Sequence, residues 1–308
     1  MQYPEISIII PVYNREKLIS ETLDSILAQS FKNWECIIVD DHSTDNTANE
    51  IAPYLKDYRF KFYRRPDHRN KGANTCRNFG LEKSNGSFVH WFDSDDLAHP
   101  DCLSIAFALL SKGKIDFCHY KRSVFRGEFD KQYKKYSSAI DPVKVDVANI
   151  EDIILNKLSF NTCNVIWKKS SLKDLRFNED IIYADEWEYY TRLILHGLKG
   201  ISISNELFFG RKHVDSTTYE FYHDHQGRRK SKIVASLILM NELKSKQKFS
   251  KILYDHFFQL GYFLRSEEII KYLMDLKQIG SFQRRFYLFC VRNYDLIKPI
   301  LRFKSKIT

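Results

Sequence analysis

No apolar stretch in this 308-residue chain approaches the roughly 18 residues a helix needs to cross a bilayer. The longest, residues 233–240, is already broken by Ser236. The opening Met1-Gln2-Tyr3-Pro4-Glu5 has no basic start, and the short apolar run behind it ends at Pro11, so no secretory leader is expected. Cysteine is sparse and scattered: Cys36, Cys76, Cys102, Cys118, Cys163 and Cys290 form no C-x-x-C pair. Several fall inside apolar patterns, which speaks against a structural zinc site and predicts reduced core thiols in a cytoplasmic protein. Glycine-rich phosphate loops are missing, for neither G-x-G-x-x-G nor G-x-x-x-x-G-K-[ST] occurs. Internal repeats and low-complexity linkers are also absent.

What is present is an ordinary globular composition, 44% hydrophobic and 28% charged, with aromatics high at 15%. The net charge of +9 is uneven. Residues 221–308 carry 18 Lys/Arg against 7 Asp/Glu, whereas residues 1–220 carry 30 against 32. The basic character therefore belongs to the C-terminal third and says nothing about the acidic motifs upstream.

Residues 1–120 alternate short apolar runs with helical patterns. Strands are expected at 6–10 (stopped by Pro11), 36–39, 60–63, 87–92 and 115–120. Helices are expected at 17–29, from a cap at Ser43 or Thr44 to about 55, at 73–83 and at 100–111. This alternation predicts an α/β fold with a mostly parallel, Rossmann-like sheet flanked by helices. Ligands of such sheets bind beyond the carboxyl ends of the strands. Residues 121–147 are polar and Tyr-rich and suggest a surface loop or hairpin. Further on, 150–158 and 185–196 read as helices and 164–167 and 201–209 as strands. A basic helical region follows from 221 to 308.

The densest chemistry lies at Phe88-Val89-His90-Trp91-Phe92-Asp93-Ser94-Asp95-Asp96, an apolar strand running into three carboxylates. Crowded carboxylates repel and raise one another's pKa, so a hard divalent cation is the natural counter-ion. Asp93 and Asp95 flank Ser94 and can face one side, leaving Asp96 to cap the helix near Pro100. A turn alone would explain fewer acids. Asp40-Asp41 closes another strand and can either cap the next helix or accept the ring N–H of a pyrimidine, with Tyr13 stacking on the base. Without a phosphate loop, a diphosphate would be neutralised by the metal and by cations such as Arg77. Asp185-Glu186 opens a helix, as a favourable cap or as a general base. His213, after a strand and a basic pair, is a loop histidine or a third metal ligand.

Four stretches together resemble glycosyltransferase family 2, which has the GT-A fold. They are Ser7-Ile8-Ile9-Ile10-Pro11-Val12-Tyr13-Asn14, Ile37-Ile38-Val39-Asp40-Asp41-His42-Ser43-Thr44-Asp45-Asn46-Thr47, Gly72-Ala73-Asn74-Thr75-Cys76-Arg77-Asn78-Phe79-Gly80 and Trp91-Phe92-Asp93-Ser94-Asp95-Asp96. The resemblance implies an inverting transfer from a nucleotide-diphosphate sugar, a UDP-sugar if Asp41 reads uracil, to a saccharide or lipid-linked saccharide in cell-surface polysaccharide synthesis. By the same resemblance Pro11 and Tyr13 line the base pocket, Asp41 reads the base beside Asp40, Arg77 lies near the nucleotide, and Asp93 and Ser94 contact the donor. Asp95, as the end of a DXD motif, ligates Mn²⁺ or Mg²⁺, joined by His213. The family's acidic pair before an aromatic residue is inverted here as Asp185-Glu186-Trp187, so the base is Glu186 by position and Asp185 by a one-residue shift. The implied organisation is a GT-A domain over 1–220, with a nucleotide-sugar half (1–120) and an acceptor half (121–220), and a basic helical region over 221–308.

Two other functions share parts of this pattern. A haloacid-dehalogenase-like phosphatase also ends a strand in Asp-x-Asp, but Leu97 stands where that group wants Thr or Val. A catalytically inactive nucleotide-binding scaffold would not need the base candidates. Nothing points to nucleic acid. The cations around residues 286–306, set beside apolar residues, suggest peripheral contact with an anionic membrane on its cytoplasmic face; a solvated basic subdomain is the alternative.

Overall fold

A computed structural model describes residues 3–136, 141–212 and 226–294. The chain divides into two compact units, Met1–Asp224 and His225–Thr308.

The first unit is built on a nine-stranded mixed sheet in the order β3-β2-β1-β4-β8-β6-β9-β5, with β7 also pairing β9. The first strands are β1 (Ile6–Val12), β2 (Trp34–Asp40), β3 (Phe60–Arg64) and β4 (Phe88–Trp91). All pair in parallel, and β1, β2 and β4 are buried along their whole length, as continuous apolar runs predict. The other strands are β5 (Leu97–Ala98), β6 (Phe117–Phe125), β7 (Val143–Val145), β8 (Val165–Lys168) and β9 (Gly200–Arg211). Here β8 is antiparallel to both β4 and β6, β6 and β9 are parallel, and β5 and β7 are antiparallel to β9. Two antiparallel steps return β6 to the direction of β4. The carboxyl ends of β1, β2, β4, β6 and β9 therefore share one edge.

The helices are α1 (Ile19–Leu27), α2 (Thr47–Ile51), α3 (Ala73–Lys83), α4 (Cys102–Leu110), α5 (Ile150–Ile154), α6 (Lys169–Leu172) and α7 (Asp185–Leu195). Buried Ile19, Thr22, Leu23 and Ile26 on α1 follow the expected stripe. All six cysteines are free and buried.

Three local expectations change. Pro11 does not stop β1, which runs on to Val12. The carbonyl of Val12 accepts from Asp41 N and that of Ile9 from Phe92 N. Pro11, alternating with Val12, thus turns its missing N–H toward the β4 side, where pairing has already ended at Ile9 and Trp91. The helix after β2 begins at Thr47, whose N–H and hydroxyl both donate to Asp45 Oδ1, so neither Ser43 nor Thr44 is the cap. The polar segment after residue 120 extends β6 to Phe125, and β7 pairs with β9 rather than folding back as a hairpin.

Two glycines set the register that the site depends on. A Cβ on Gly86 would stand 2.6 Å from Ser7 N, and one on Gly80 would stand 2.3 Å from Ile9 Cγ2. Neither contact is tolerable, so only glycine lets the turn before β4 and the middle of α3 lie this close to β1. Buried Glu35 reinforces the turn, accepting from Ser7 Oγ (2.6 Å), Asn85 N (2.6 Å) and Lys61 Nζ (2.6 Å). Burial works against its charge, but these donors hold its pKa below the ordinary carboxyl range.

The second unit holds α8 (Gln226–Ser245), α9 (Lys251–Phe263), α10 (Glu267–Leu276) and α11 (Ser281–Arg292). Ser250 and Ser266 cap α9 and α10, accepting from Leu253 N and Ile269 N. Tyr262, Ile270, Met274, Cys290 and Val291 form a small core. No helix among the described residues is long and apolar enough to cross a membrane.

Candidate functional site

Loops leaving the carboxyl edge of the sheet carry the acidic residues. Asn14, His42 and Ala184 all have left-handed backbone (φ 50°, 62° and 63°). Such conformations are costly for residues with a Cβ and cluster where geometry is constrained by function. They follow β1, follow β2 and precede α7 respectively.

After β2, both carboxylates are fixed. Asp40, 2% exposed, accepts from Ser43 N at 3.2 Å through each oxygen and lies 3.7 Å from Arg64. Asp41 takes the Arg65 guanidinium on one oxygen and Gly72 N on the other (3.0 Å). That second bond anchors the start of α3, where Gly72 adopts φ 142° and supplies no capping side chain. Pro11 is buried. Tyr13 is 38% exposed, and Lys71 Nζ sits 3.9 Å from its ring centroid.

Arg77 is the hub. One arm, Nη1, donates to Asp185 Oδ2 (2.6 Å) and Asn74 Oδ1 (2.8 Å); the other, Nη2, donates to Asp93 Oδ1 (3.0 Å). Its side chain is 7% exposed. Burial opposes the charge, but Asp185 and then Asp93 outweigh it, so the guanidinium stays ionised. The polar face of α3 explains how Asp185 arrives there. Asn74 Nδ2 donates to Asn178 O (3.0 Å) and Ile181 O (2.7 Å), and Asn78 Nδ2 to Phe177 O (2.9 Å). These two amides tether the segment that leads into α7.

Beyond β4 the three acids separate. Asp93 faces Arg77 and keeps about a third of its side chain in solvent. Ser94 is buried. Asp95 is 3.6 Å from Arg15 Nη2, and its carbonyl accepts from Arg211 Nε (3.0 Å). Asp96 does not cap α4, whose N-cap is Asp101. It is buried and accepts from Arg211 N (2.8 Å) and Cys163 Sγ (3.6 Å), because β9 reaches the loop before the helix does. Burial, followed by the charge of Asp95, pushes the Asp96 carboxyl well up. Asp93 is also raised, by burial and by Asp95, despite Arg77.

Crowded carboxyls whose pKa values stay raised fit a cation. Ligand atoms of Asp93, Asp96 and Cys163 lie within 4.8 Å of one another. Without a metal, burial pushes the Cys163 thiol well up, and the carboxylate oxygens of Asp93 and Asp96 are the donors that a hard divalent cation takes. His213 lies outside the described residues.

Asp185 and Glu186 occupy the first turn of α7. Although Glu186 retains some exposed surface, the atoms packed around it, followed by the neighbouring Asp185 charge and hydrogen bond, push its pKa well up; Arg77 offsets part of this. Asp185 thus pairs with Arg77, and the carboxyl with the raised pKa beside it is Glu186. Arg15, Arg65, Lys71 and Arg211 escaped the sequence reading. Four cations among 48 carry no signal until the fold assembles them, whereas Asn74 and Asn78, inside a recognised stretch, were visible but unassigned.

Residues 7–174 match the family model described as Glycosyl transferase family 2. Over 62% of its length the chain is 29% identical to 60% of the GalNAc(5)-diNAcBac-PP-undecaprenol beta-1,3-glucosyltransferase of Campylobacter jejuni. In fold it resembles S. aureus TarS 1–349 in complex with UDP-GlcNAc (TM-score 0.66, 21% identity, 93% of this chain and 79% of that one). It also resembles the mannosyltransferase PcManGT of Pyrobaculum calidifontis in complex with GDP-Man and Mn²⁺ (TM-score 0.59, 18% identity, 99% and 84%). At these identities the two structures speak for the fold alone. The chain spans only 18%, 21% and 30% of three uncharacterised Rickettsia glycosyltransferases that it matches. The motif order along β1, β2, α3 and β4, the GT-A architecture and the family model agree, and the chain belongs to glycosyl transferase family 2.

Proposed function

We propose that the chain is an inverting, metal-assisted glycosyltransferase that moves a sugar from a UDP-sugar to a hydroxyl of a saccharide or lipid-linked saccharide in cell-surface polysaccharide synthesis. One observation carries the reading: Arg77 grips Asp93 with one arm and Asp185 with the other. Donor-side and base-side carboxylates are thereby parts of one cluster, although 92 residues separate them in sequence. The undecaprenol-linked name of the Campylobacter relative supports the acceptor class, and UDP-GlcNAc on TarS supports the donor class.

In this reading Tyr13 stacks on the base, with Pro11 beneath and Asp41, aligned by Arg65 and Gly72, accepting its ring N–H; Asp40 holds the loop. Asp93 and Ser94 contact the ribose side, and Asp95, with His213, holds the Mn²⁺ or Mg²⁺. When bound, the cation stabilises negative charge on the leaving nucleotide diphosphate. Glu186 takes the proton of the attacking hydroxyl, and Asp185 fixes Arg77 beside it. A single base opposite the leaving group gives one displacement and inverts the anomeric carbon. Titration calorimetry with UDP, with and without Mn²⁺, tests the reading alongside transfer assays on a UDP-sugar panel. Metal-dependent UDP binding is expected; no binding at millimolar UDP with Mn²⁺ would overturn it.

Helix α11 supports peripheral attachment to an anionic membrane on its cytoplasmic face. Phe282, Phe286 and Phe289 are exposed by 85%, 59% and 59%, and their spacing puts them on one face of a helix that also carries Arg284, Arg285 and Arg292. Cosedimentation with phosphatidylglycerol vesicles at low salt should be lost on Phe286→Glu. Equal recovery of both proteins would count against it.

A further inference from the structure

Beside the carboxylate cluster, at the same edge of the sheet, lies a cleft of about 490 Å³ that the donor reading does not use. Its walls come from the end of β6, the following segment and β9. Phe129 is central to an aromatic wall, with ring centroids 4.7 Å from Phe209, 5.0 Å from Phe125 and 5.6 Å from Tyr133. Around it stand Glu128, Asp130 and Gln132, all exposed, and Tyr136.

Its polarity selects a ligand class. Three carboxylates line the cleft (Glu128, Asp130, Glu206) against one lysine, Lys134, and that lysine is spent on Glu206 at 2.7 Å. The lining thus carries an excess of negative charge, and its lysine is already paired, so it offers little to a phosphate or diphosphate. A neutral polyol suits it, because aromatic faces take the C–H face of a pyranose while carboxylates and the Gln132 amide accept and donate to its hydroxyls.

Arg211 ties this cleft to the donor loop. Its Nε donates to Asp95 O (3.0 Å), its Nη1 to Gly127 O (3.1 Å), and its guanidinium lies 4.7 Å from the Phe125 ring centroid. Phe209 lines the cleft and pairs with Leu97, the residue after the acidic cluster. On the premise that the acidic cluster is a sugar-donor site, we infer that this cleft is the subsite for an uncharged saccharide of the acceptor, held against Phe129 with Asp130 and Gln132 on its hydroxyls.

The test uses the full chain with UDP and Mn²⁺, and octyl β-glycosides of glucose, galactose, N-acetylglucosamine and N-acetylgalactosamine as probes, read by saturation-transfer NMR. The expected result is saturation of ring protons of at least one glycoside by the wild type. Phe129→Ala should weaken that glycoside at least five-fold and Asp130→Asn at least two-fold, with UDP affinity unchanged in both. Retained UDP binding shows that each variant is folded, and Asp130, being exposed, guards against a packing defect at Phe129. If UDP binds but no glycoside does, or if both variants hold the glycoside as tightly as wild type, the inference is overturned while the donor reading stands. If UDP itself fails to bind, the donor reading falls and this inference with it.

Discussion

Replacing Arg77 with methionine keeps much of its length and removes its charge. Two carboxylates then lose their counter-ion, and they differ in what that costs. Asp185 is 13% exposed, so leaving it uncompensated resembles breaking a buried pair, for which about 3–5 kcal/mol is typical. Asp93 is 36% exposed, so solvent screens it and its share is under about 1 kcal/mol. Asp185 therefore dominates, and Arg77→Met should destabilise the first unit by about 3 kcal/mol, a fall in melting temperature on the order of 6–12 °C for a unit of this size. Arg77→Lys keeps the charge but cannot reach in two directions at once, so it should recover only part of the loss. The cycle with Asp185→Asn isolates the pair: once Asp185→Asn is in place, the same Arg77→Met change should cost at least about 1.5 kcal/mol less. Urea and thermal unfolding of the four proteins measure this. An Arg77→Met protein within about 0.5 kcal/mol of wild type, or strict additivity with Asp185→Asn, would refute the bridging role.

Glu186→Gln should lower kcat at least about 100-fold, whereas Asp185→Asn should act more mildly. Because the Glu186 pKa is raised, its ionised fraction grows with pH, so wild-type kcat/KM should climb toward the alkaline side; a flat profile would remove Glu186 as the base. His90 and His119 are each pushed down to about 4, by burial. The unfolded rings protonate near 6.5 and the folded ones do not, so both oppose folding increasingly as pH falls from 6.5 toward 4, by about 2 kcal/mol per ring at pH 5. Ring ¹⁵N shifts should show both imidazoles neutral at pH 5, and titration of either near 6.5 would contradict the packing. Gly86→Ala forces a Cβ to 2.6 Å from Ser7 N; overpacking against backbone should cost about 1–3 kcal/mol, and UDP affinity should fall as β4 shifts. A variant with unaltered melting and UDP binding would show that this turn does not set the register.

Legibility in the sequence followed interaction range. The cores of β1, β2 and β4 were readable because strands buried on both faces are continuous apolar runs, and α3 was placed at 73–83 because its stops are local. Pro11 misled because a proline ends pairing on one side of a strand only, and the sequence does not say which side is paired. The extension of β6 past Tyr120 was hidden for a related reason, since residues 121–125 are exposed or only partly buried and resemble a loop in composition. The acidic residues of the site were all visible as types. What joins them was not: Asn74 reaches residues 178 and 181, and Arg77 reaches residue 185, contacts over more than 100 positions.

The same long-range contacts explain why three carboxylates can stand within four residues. Each is given a different environment. Asp96 is tied into the protein by the Arg211 backbone and Cys163. Asp93 is matched by Arg77, and Asp95 lies near Arg15. Burial, and after it the charge of Asp95, still leaves Asp93 and Asp96 raised, so the folded chain carries electrostatic strain at this loop. A loop built only to turn the chain would gain nothing from that strain, because one aspartate suffices for a turn. A loop that awaits a cation gains affinity from it, since the bound charge relieves the repulsion. On this argument Asp95→Asn should lose Mn²⁺ affinity yet raise the melting temperature of the metal-free protein. A variant that melts lower without metal would mean that the acids stabilise the turn itself.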